Sequence, residues 1–213
     1  MTVPRQRRWP LEALKPYILE DTIAADQWDW RGVFHNEFPV EIEIGFGKGL
    51  FLINAAANAP QTNFLGIEIA RKFQLLTATR LAKNGISNVR LIKADARLFL
   101  RDHVRSDSVR AIHVYFPDPW WKRRHIKRRL FTSNFVAQCE RVLQRKGTLH
   151  IATDVSVYFE EMINLLQTAR TMAPGSDQRI LDSEHTTEYL TNFHRKFCLE
   201  GRQIFRATFE RQD

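Results

Sequence analysis

Only two cysteines, Cys139 and Cys198, occur among the 213 residues. They lie far apart without metal-type spacing, and each falls inside an apolar helical pattern. Both therefore read as core residues, and neither a disulfide framework nor a metal site is expected. Long hydrophobic runs are missing too: no stretch approaches the roughly 20 apolar residues that span a bilayer. The opening residues, Met1-Thr2-Val3-Pro4-Arg5-Gln6-Arg7-Arg8, hold no signal-peptide core. A membrane partner is thereby disfavoured and a cytoplasmic location expected. There is no internal repeat or low-complexity linker, and the length suits one domain with a sizeable core. Acidic residues are in short supply, 24 Asp and Glu against 32 Lys and Arg, for a formal net charge of +8. That imbalance points to an anionic partner, with nucleic acid preferred.

From residue 40 onward, short β-rich runs alternate with segments of helical period. Strands are expected at 40–44, 63–69, 89–93, 109–116 and 148–153. Helices are expected at 49–58, 70–84, 96–104, 133–144 and 155–171. Such alternation predicts an α/β fold with a mostly parallel sheet covered on both faces. A helix over 188–199 and a strand over 203–210, joined by a tight turn at Gly201, add an antiparallel last strand. Residues 1–39 lack clear strand character and read as a partly helical N-terminal extension, leaving 40–213 as a single domain.

Glu43-Ile44-Gly45-Phe46-Gly47-Lys48-Gly49 follows the first of these strands and opens a helix, so its glycines allow a sharp turn and close approach of a ligand. Leu50 stands where a dinucleotide fingerprint has its third glycine, so the loop alone is weak evidence. The acids after successive strands strengthen it. Glu68 closes the second strand, at the distance of a carboxylate that grips ribose. Asp95 follows the third, where it could accept from the amine of an adenine. Ligands of open α/β sheets sit beyond the carboxyl ends of the strands, so these acids should converge. Glu43 would face a positively charged group. A pyrophosphate would fit badly against three carboxylates, whereas S-adenosylmethionine fits well. Glu41, on the same strand face as Glu43, reads as structural, and His113 and His150 read as core or strand-surface residues.

The segment Phe116-Pro117-Asp118-Pro119-Trp120-Trp121-Lys122-Arg123-Arg124-His125-Ile126-Lys127-Arg128-Arg129 joins a carboxylate, two indoles and six Lys or Arg. Flanking prolines stiffen Asp118 in non-helical backbone. Carboxylate, π-surfaces and cations together suit a nucleotide base held within a polyanion. One tryptophan is expected near the base or cofactor and the other in the core. The cations, with His125, are expected on phosphates.

Taken in order, Glu-Ile-Gly-Phe-Gly-Lys-Gly, Gly-Ile-Glu, Asp-Ala, Phe-Pro-Asp-Pro-Trp-x-Lys-x-Arg-His-x-Lys-Arg-Arg and Ala-Thr-Asp resemble the bacterial tRNA (guanine-N7-)-methyltransferase family across about residues 40–213. The resemblance implies a Rossmann-like S-adenosylmethionine-dependent methyltransferase fold. It also implies transfer to guanine N7 at variable-loop position 46 of tRNA. Glu43, Gly45, Gly47, Glu68, Asp95, Ala96 and Asp118 would contact the cofactor, with Asp118 also catalytic. Lys122, Asp154, Thr191 and His194 would meet the substrate. The family's tail reads Thr-x-Phe/Tyr-Glu; here it is Thr191-Asn192-Phe193-His194, so His194 replaces an acid. His194 could touch guanine or phosphate, or Glu188 could substitute. The protein would act as a monomer or homodimer. Rival readings are a methyltransferase for another RNA or a small molecule, an idle RNA-binding module, and a nucleotide-dependent oxidoreductase.

Overall fold

The computed structural model describes residues 9–20, 29–175, 179–181 and 191–212. Glu188 and the start of the expected last helix lie outside them. Among the described residues, six strands run parallel: β1 (Ile18–Leu19), β2 (Val40–Ile44), β3 (Asn63–Glu68), β4 (Val89–Lys93), β5 (Val109–Tyr115) and β6 (Leu143–Thr153). Three more close the sheet antiparallel: β7 (Met172–Pro174) and β8 (Arg179–Leu181) both pair with β9 (Ile204–Arg211), and β9 pairs with β6. The order is β1-β4-β3-β2-β5-β6-β9-β7, with β8 beside β9. Chain order therefore reverses between β2 and β5, which opens a crevice at their carboxyl ends.

The helices are α1 (Leu11–Leu14), α2 (Trp30–Phe34), α3 (Leu50–Asn58), α4 (Arg71–Lys83), α5 (Ala96–His103), α6 (Ser133–Val142), α7 (Ser156–Gln167) and α8 (Asn192–Leu199). Ile42 and Ile44 on β2, with Ile112, Val114, Leu149 and Ile151, pack against α5, α6 and α7. Phe64, Val89 and Leu91 face α1, α3 and α4 instead. Burial on both faces explains the near-continuous apolar runs in β3 and β5. Caps set several helix starts: Asp95 accepts from Arg97 N, Thr132 from Phe135 N, and Thr191 from His194 N.

The expected helix over 133–144 stops at Val142. Leu143 is extended and begins β6, several residues ahead of the strand expected at 148–153. The register against β5 then shifts between Val109 and Ala111. The long helix expected to reach 171 ends at Gln167, where the Thr168 hydroxyl donates to Leu165 O at 2.7 Å. Ile18–Leu19, in the stretch read as lacking strands, pair with Leu91–Ile92. The edge strands β1, β7 and β8 are two or three residues long and carry no readable period.

Candidate active site

A crevice of about 1010 Å³ lies over the carboxyl ends of the parallel strands. Glu43, Gly45, Gly47, Glu68, Asp95, Ala96, Asp118, Asp154 and Thr191 all line it. Residues that the sequence scatters over about 150 positions therefore share one wall, because parallel strands deliver their ends to the same side.

The glycine loop is braced from within the fold. Gly45 N donates to Ile67 O at 2.8 Å and Gly49 N to Phe46 O at 2.7 Å. Gly49, at φ +71°, packs so tightly on α4 that an added Cβ would lie 2.3 Å from Thr77 Cγ2. The Thr77 hydroxyl donates to Gly47 O at 3.1 Å. Glu68 closes the loop: Oε2 accepts from Gly47 N at 3.1 Å and Oε1 from Ala70 N at 2.9 Å. Each carboxylate oxygen retains a further acceptor site, so ribose hydroxyls remain within its capacity.

Glu43 is only 2% exposed, yet its Oε2 has no hydrogen-bond partner. Burial, followed by the charge of Glu68, raises its carboxyl well above the usual range. A cationic ligand group would satisfy that oxygen and stabilise its ionised form. The donor set thus fits S-adenosylmethionine, with the sulfonium and ammonium toward Glu43 and the ribose toward Glu68. Asp95, also on the crevice wall, has partners within the protein. Its carboxylate caps α5 and is bound by Arg97 through Nε at 3.1 Å and Nη2 at 2.7 Å. These hydrogen bonds lower its pKa, outweighing burial, which raises it.

Glu41, one turn of the pleat away, lies outside the crevice. Arg110 Nη2 donates to it at 2.6 Å and His113 Nε2 pairs with it at 2.9 Å. Burial opposes its charge, but these bonds outweigh burial and bring the carboxyl down to about 2. His113 stacks on His150 at 4.9 Å and shares a hydrogen bond with Tyr115, inside the sheet face under α3.

The Pro-Asp-Pro segment leaves β5 through two residues in the left-handed region, Phe116 at φ +53° and Trp120 at φ +43°. Bulky side chains rarely adopt that conformation, and it recurs at functional sites. Asp118, midway between them, is exposed on the crevice wall. Arg129 holds the segment from behind: Nε donates to Pro119 O at 2.7 Å, and the guanidinium pairs with Glu161 on α7. Trp120 lines the crevice, with the Arg128 guanidinium 5.1 Å above its ring and His125 against its edge. Trp121 is 56% exposed and outside the crevice lining, so neither indole is a core residue.

Lys122 is exposed at the start of the 3-10 turn Arg123–Arg128, outside the crevice lining. Asp154 follows β6 and pairs with Arg202 at 2.9 Å. Thr191 lines the crevice at the start of α8. His194, by contrast, is 1% exposed, lies within 3.2 Å of Arg206, and is absent from the crevice wall. The fold does not bring its ring to the position open to a substrate. Burial, then Arg206, lowers its pKa to about 4. Sequence reasoning missed Arg97, Tyr115, Phe193 and Lys196, all of which line the crevice. Arg97 alone carried a signal, a cation two residues beyond a capping acid.

The family model described as "Putative methyltransferase" matches residues 37–207. A tRNA (guanine-N(7)-)-methyltransferase of Rhodopirellula baltica is 35% identical over 186 residues, covering 84% of this chain and 69% of the relative. One from Buchnera aphidicola is 36% identical over 203 residues, covering 94% of this chain and 84% of the relative. Among solved structures, the 16S rRNA methyltransferase KamB superposes with a TM-score of 0.65 over 86% of this chain and 93% of that one, at 15% identity. That last likeness speaks for the fold. With the glycine loop, the strand-end acids and the Pro-Asp-Pro wall in one crevice, and with relatives matched over most of both lengths, the chain belongs to the tRNA (guanine-N7-)-methyltransferase family.

Proposed function

We propose that this protein transfers a methyl group from S-adenosylmethionine to guanine N7 in tRNA, at variable-loop position 46. The observation that carries the reading is that Asp118 lines the same crevice as Glu43, Glu68 and Asp95. Residues 40–213 act as the methyltransferase domain and 1–39 as its extension, in the cytoplasm where tRNA is modified. The protein acts as a monomer or a homodimer.

When bound, S-adenosylmethionine supplies an electrophilic methyl on a sulfonium. Glu43 neutralises the positive end, Glu68 orients the ribose while holding the glycine loop, and Asp95 and the Ala96 backbone bound the adenine end. Guanine N7 offers a lone pair and has no proton to lose, so alignment and charge stabilisation matter more than a strong base. Asp118 accepts from guanine N–H groups or opposes the positive charge that grows on the base. Lys122, Asp154 and Thr191 hold the tRNA around the crevice mouth, and the exposed cations of the 3-10 turn meet phosphates. His194 supports the wall through Arg206.

The test is incubation of the purified protein with radiolabelled donor and unmodified tRNA transcripts, followed by mapping of the methylated nucleotide. Label at position 46, lost when that guanine is replaced by adenine, is the expected result. Label only in free nucleosides would favour a small-molecule methyltransferase, and donor binding without any transfer would refute the reading.

A further inference from the structure

The crevice needs a flat surface on which to seat a base, and the tryptophans are poorly suited to supply it. Trp120 carries the Arg128 guanidinium 5.1 Å above its ring and His125 on its edge, and Trp121 is not on the crevice wall. Phe193 differs. It sits in the first turn of α8, lines the crevice and is 54% exposed. Its ring is buttressed by Phe197, with centroids 5.9 Å apart and planes 28° apart, and by Phe116 at 6.4 Å. Phe116 itself is held at φ +53°, directly before the Pro-Asp-Pro wall. The backing rings fix Phe193 while leaving about half of it to the crevice. Thr191 and Lys196, two residues before it and three after, line the same wall.

The charge balance of the reaction gives such a ring a particular use. The N7 lone pair forms the new N–C bond, the S–C bonding pair stays on sulfur, and no proton moves. Positive charge therefore passes from sulfur to the imidazole half of the base. An aromatic face carries negative quadrupole density and attracts a cation above it. The neighbouring His194 has its ring buried beside Arg206 and brings no negative charge to the wall.

We infer that Phe193 is the stacking surface for the target guanine, and that its π-face stabilises the base as it becomes cationic. This rests on the guanine-N7 reading above and extends it to a residue that touches the reacting base. Because the charge is greatest after transfer, the ring favours transition state and product over substrate, and its removal should lower the transfer rate more than tRNA binding.

Phe193→Leu, Phe193→Tyr and Phe193→Trp test it in the full-length protein. Single-turnover transfer to tRNA is expected to fall at least fivefold in Phe193→Leu, the loss from one aromatic–base stack. Phe193→Tyr should recover to within about threefold of the parent, because the face is kept. Adenosylhomocysteine affinity, measured by calorimetry, should stay within about twofold in every variant, since Phe193 is not assigned to the donor. In Phe193→Trp, the fluorescence difference from the parent, with its five tryptophans, should be quenched more by methylated than by unmodified tRNA. A leucine variant as fast as the parent, a tyrosine variant as slow as the leucine one, or an indole indifferent to methylated tRNA would overturn the inference. Failure of the parent protein to methylate any guanine N7 would instead strike the functional reading beneath it.

Discussion

Arg97 binds both oxygens of the Asp95 carboxylate, through Nε at 3.1 Å and Nη2 at 2.7 Å. The remaining nitrogen, Nη1, donates to Lys127 O at 3.1 Å. One guanidinium thus ties the acid assigned to adenine to the basic turn assigned to tRNA. The proposed donor and nucleic-acid sites therefore share a single side chain.

Arg97→Ala should release Asp95 and remove a positive charge near a cationic donor. The pair is about a quarter to a third exposed, so its worth is on the order of 0.2–1 kcal/mol. S-adenosylmethionine should bind more tightly, by up to about fivefold, in calorimetry. Transfer to tRNA should slow, because the turn loses its anchor. An unchanged donor affinity would mean that Asp95 does not meet the adenine.

Glu43 sets a pH dependence whose sign is fixed by its raised pKa. The folded protein keeps this proton where the unfolded chain, at its ordinary value of 4.5, has lost it. Stability without donor therefore declines as pH rises above that value. Glu43→Gln should flatten that slope in denaturant titrations. Donor binding favours the carboxylate, so it should release a proton and tighten with rising pH. The substitution should abolish proton release, read from calorimetry in buffers of different ionisation enthalpy. It should also weaken binding about ten- to a hundredfold, the worth of one hydrogen bond to a charged group.

Asp118 is exposed, so Asp118→Asn should leave the melting temperature nearly unchanged. Single-turnover transfer should fall by more than about tenfold, roughly 1.4 kcal/mol of transition-state stabilisation. A smaller loss, with folding and donor binding intact, would remove the catalytic assignment.

The six Lys and Arg of residues 122–129 are not equivalent. Lys122, Arg123, Arg124, Lys127 and Arg128 are exposed, whereas Arg129 is committed to Pro119 O and Glu161. If those five meet phosphates, the log–log salt slope of tRNA binding should be about −3.5 to −4.5. Arg124→Ala should reduce it by roughly one. Arg129→Ala should instead lower stability, by about 1–3 kcal/mol, because it leaves the Pro-Asp-Pro wall without its brace. Equal salt effects from the two variants would refute this division.

Gly45 and Gly49 both have positive φ, but only Gly49 is sterically confined, with Thr77 atoms 2.3 to 3.0 Å from an added Cβ. Gly45 has nothing within 4 Å. Gly45→Ala should therefore cost only backbone strain, about 1 kcal/mol. Gly49→Ala should cost about 1–3 kcal/mol more, through overpacking. Urea midpoints at constant m separate the two.

Chain pattern alone was enough to gather Glu43, Glu68 and Asp95 at one end of the sheet, where all three line the crevice. The β2 and β4 boundaries, Val40–Ile44 and Val89–Lys93, coincide with the runs expected from the sequence, because short apolar stretches ended by Gly45 or Asp95 leave little choice of register. Glu43, Glu68 and Asp95 were legible for a topological reason: a parallel sheet brings every strand's carboxyl end to one side. Packing decided the rest. Periodicity cannot say which way Thr191-Asn192-Phe193-His194 turns its side chains; docking of α8 buries His194 against Arg206 and leaves Phe193 on the crevice wall. Likewise, only tertiary contact separates Arg129, held by Pro119 and Glu161, from the exposed cations before it, and gives Arg97 to Asp95. Charge and period are local properties of a chain, whereas a side chain's partner depends on elements that arrive from elsewhere in it.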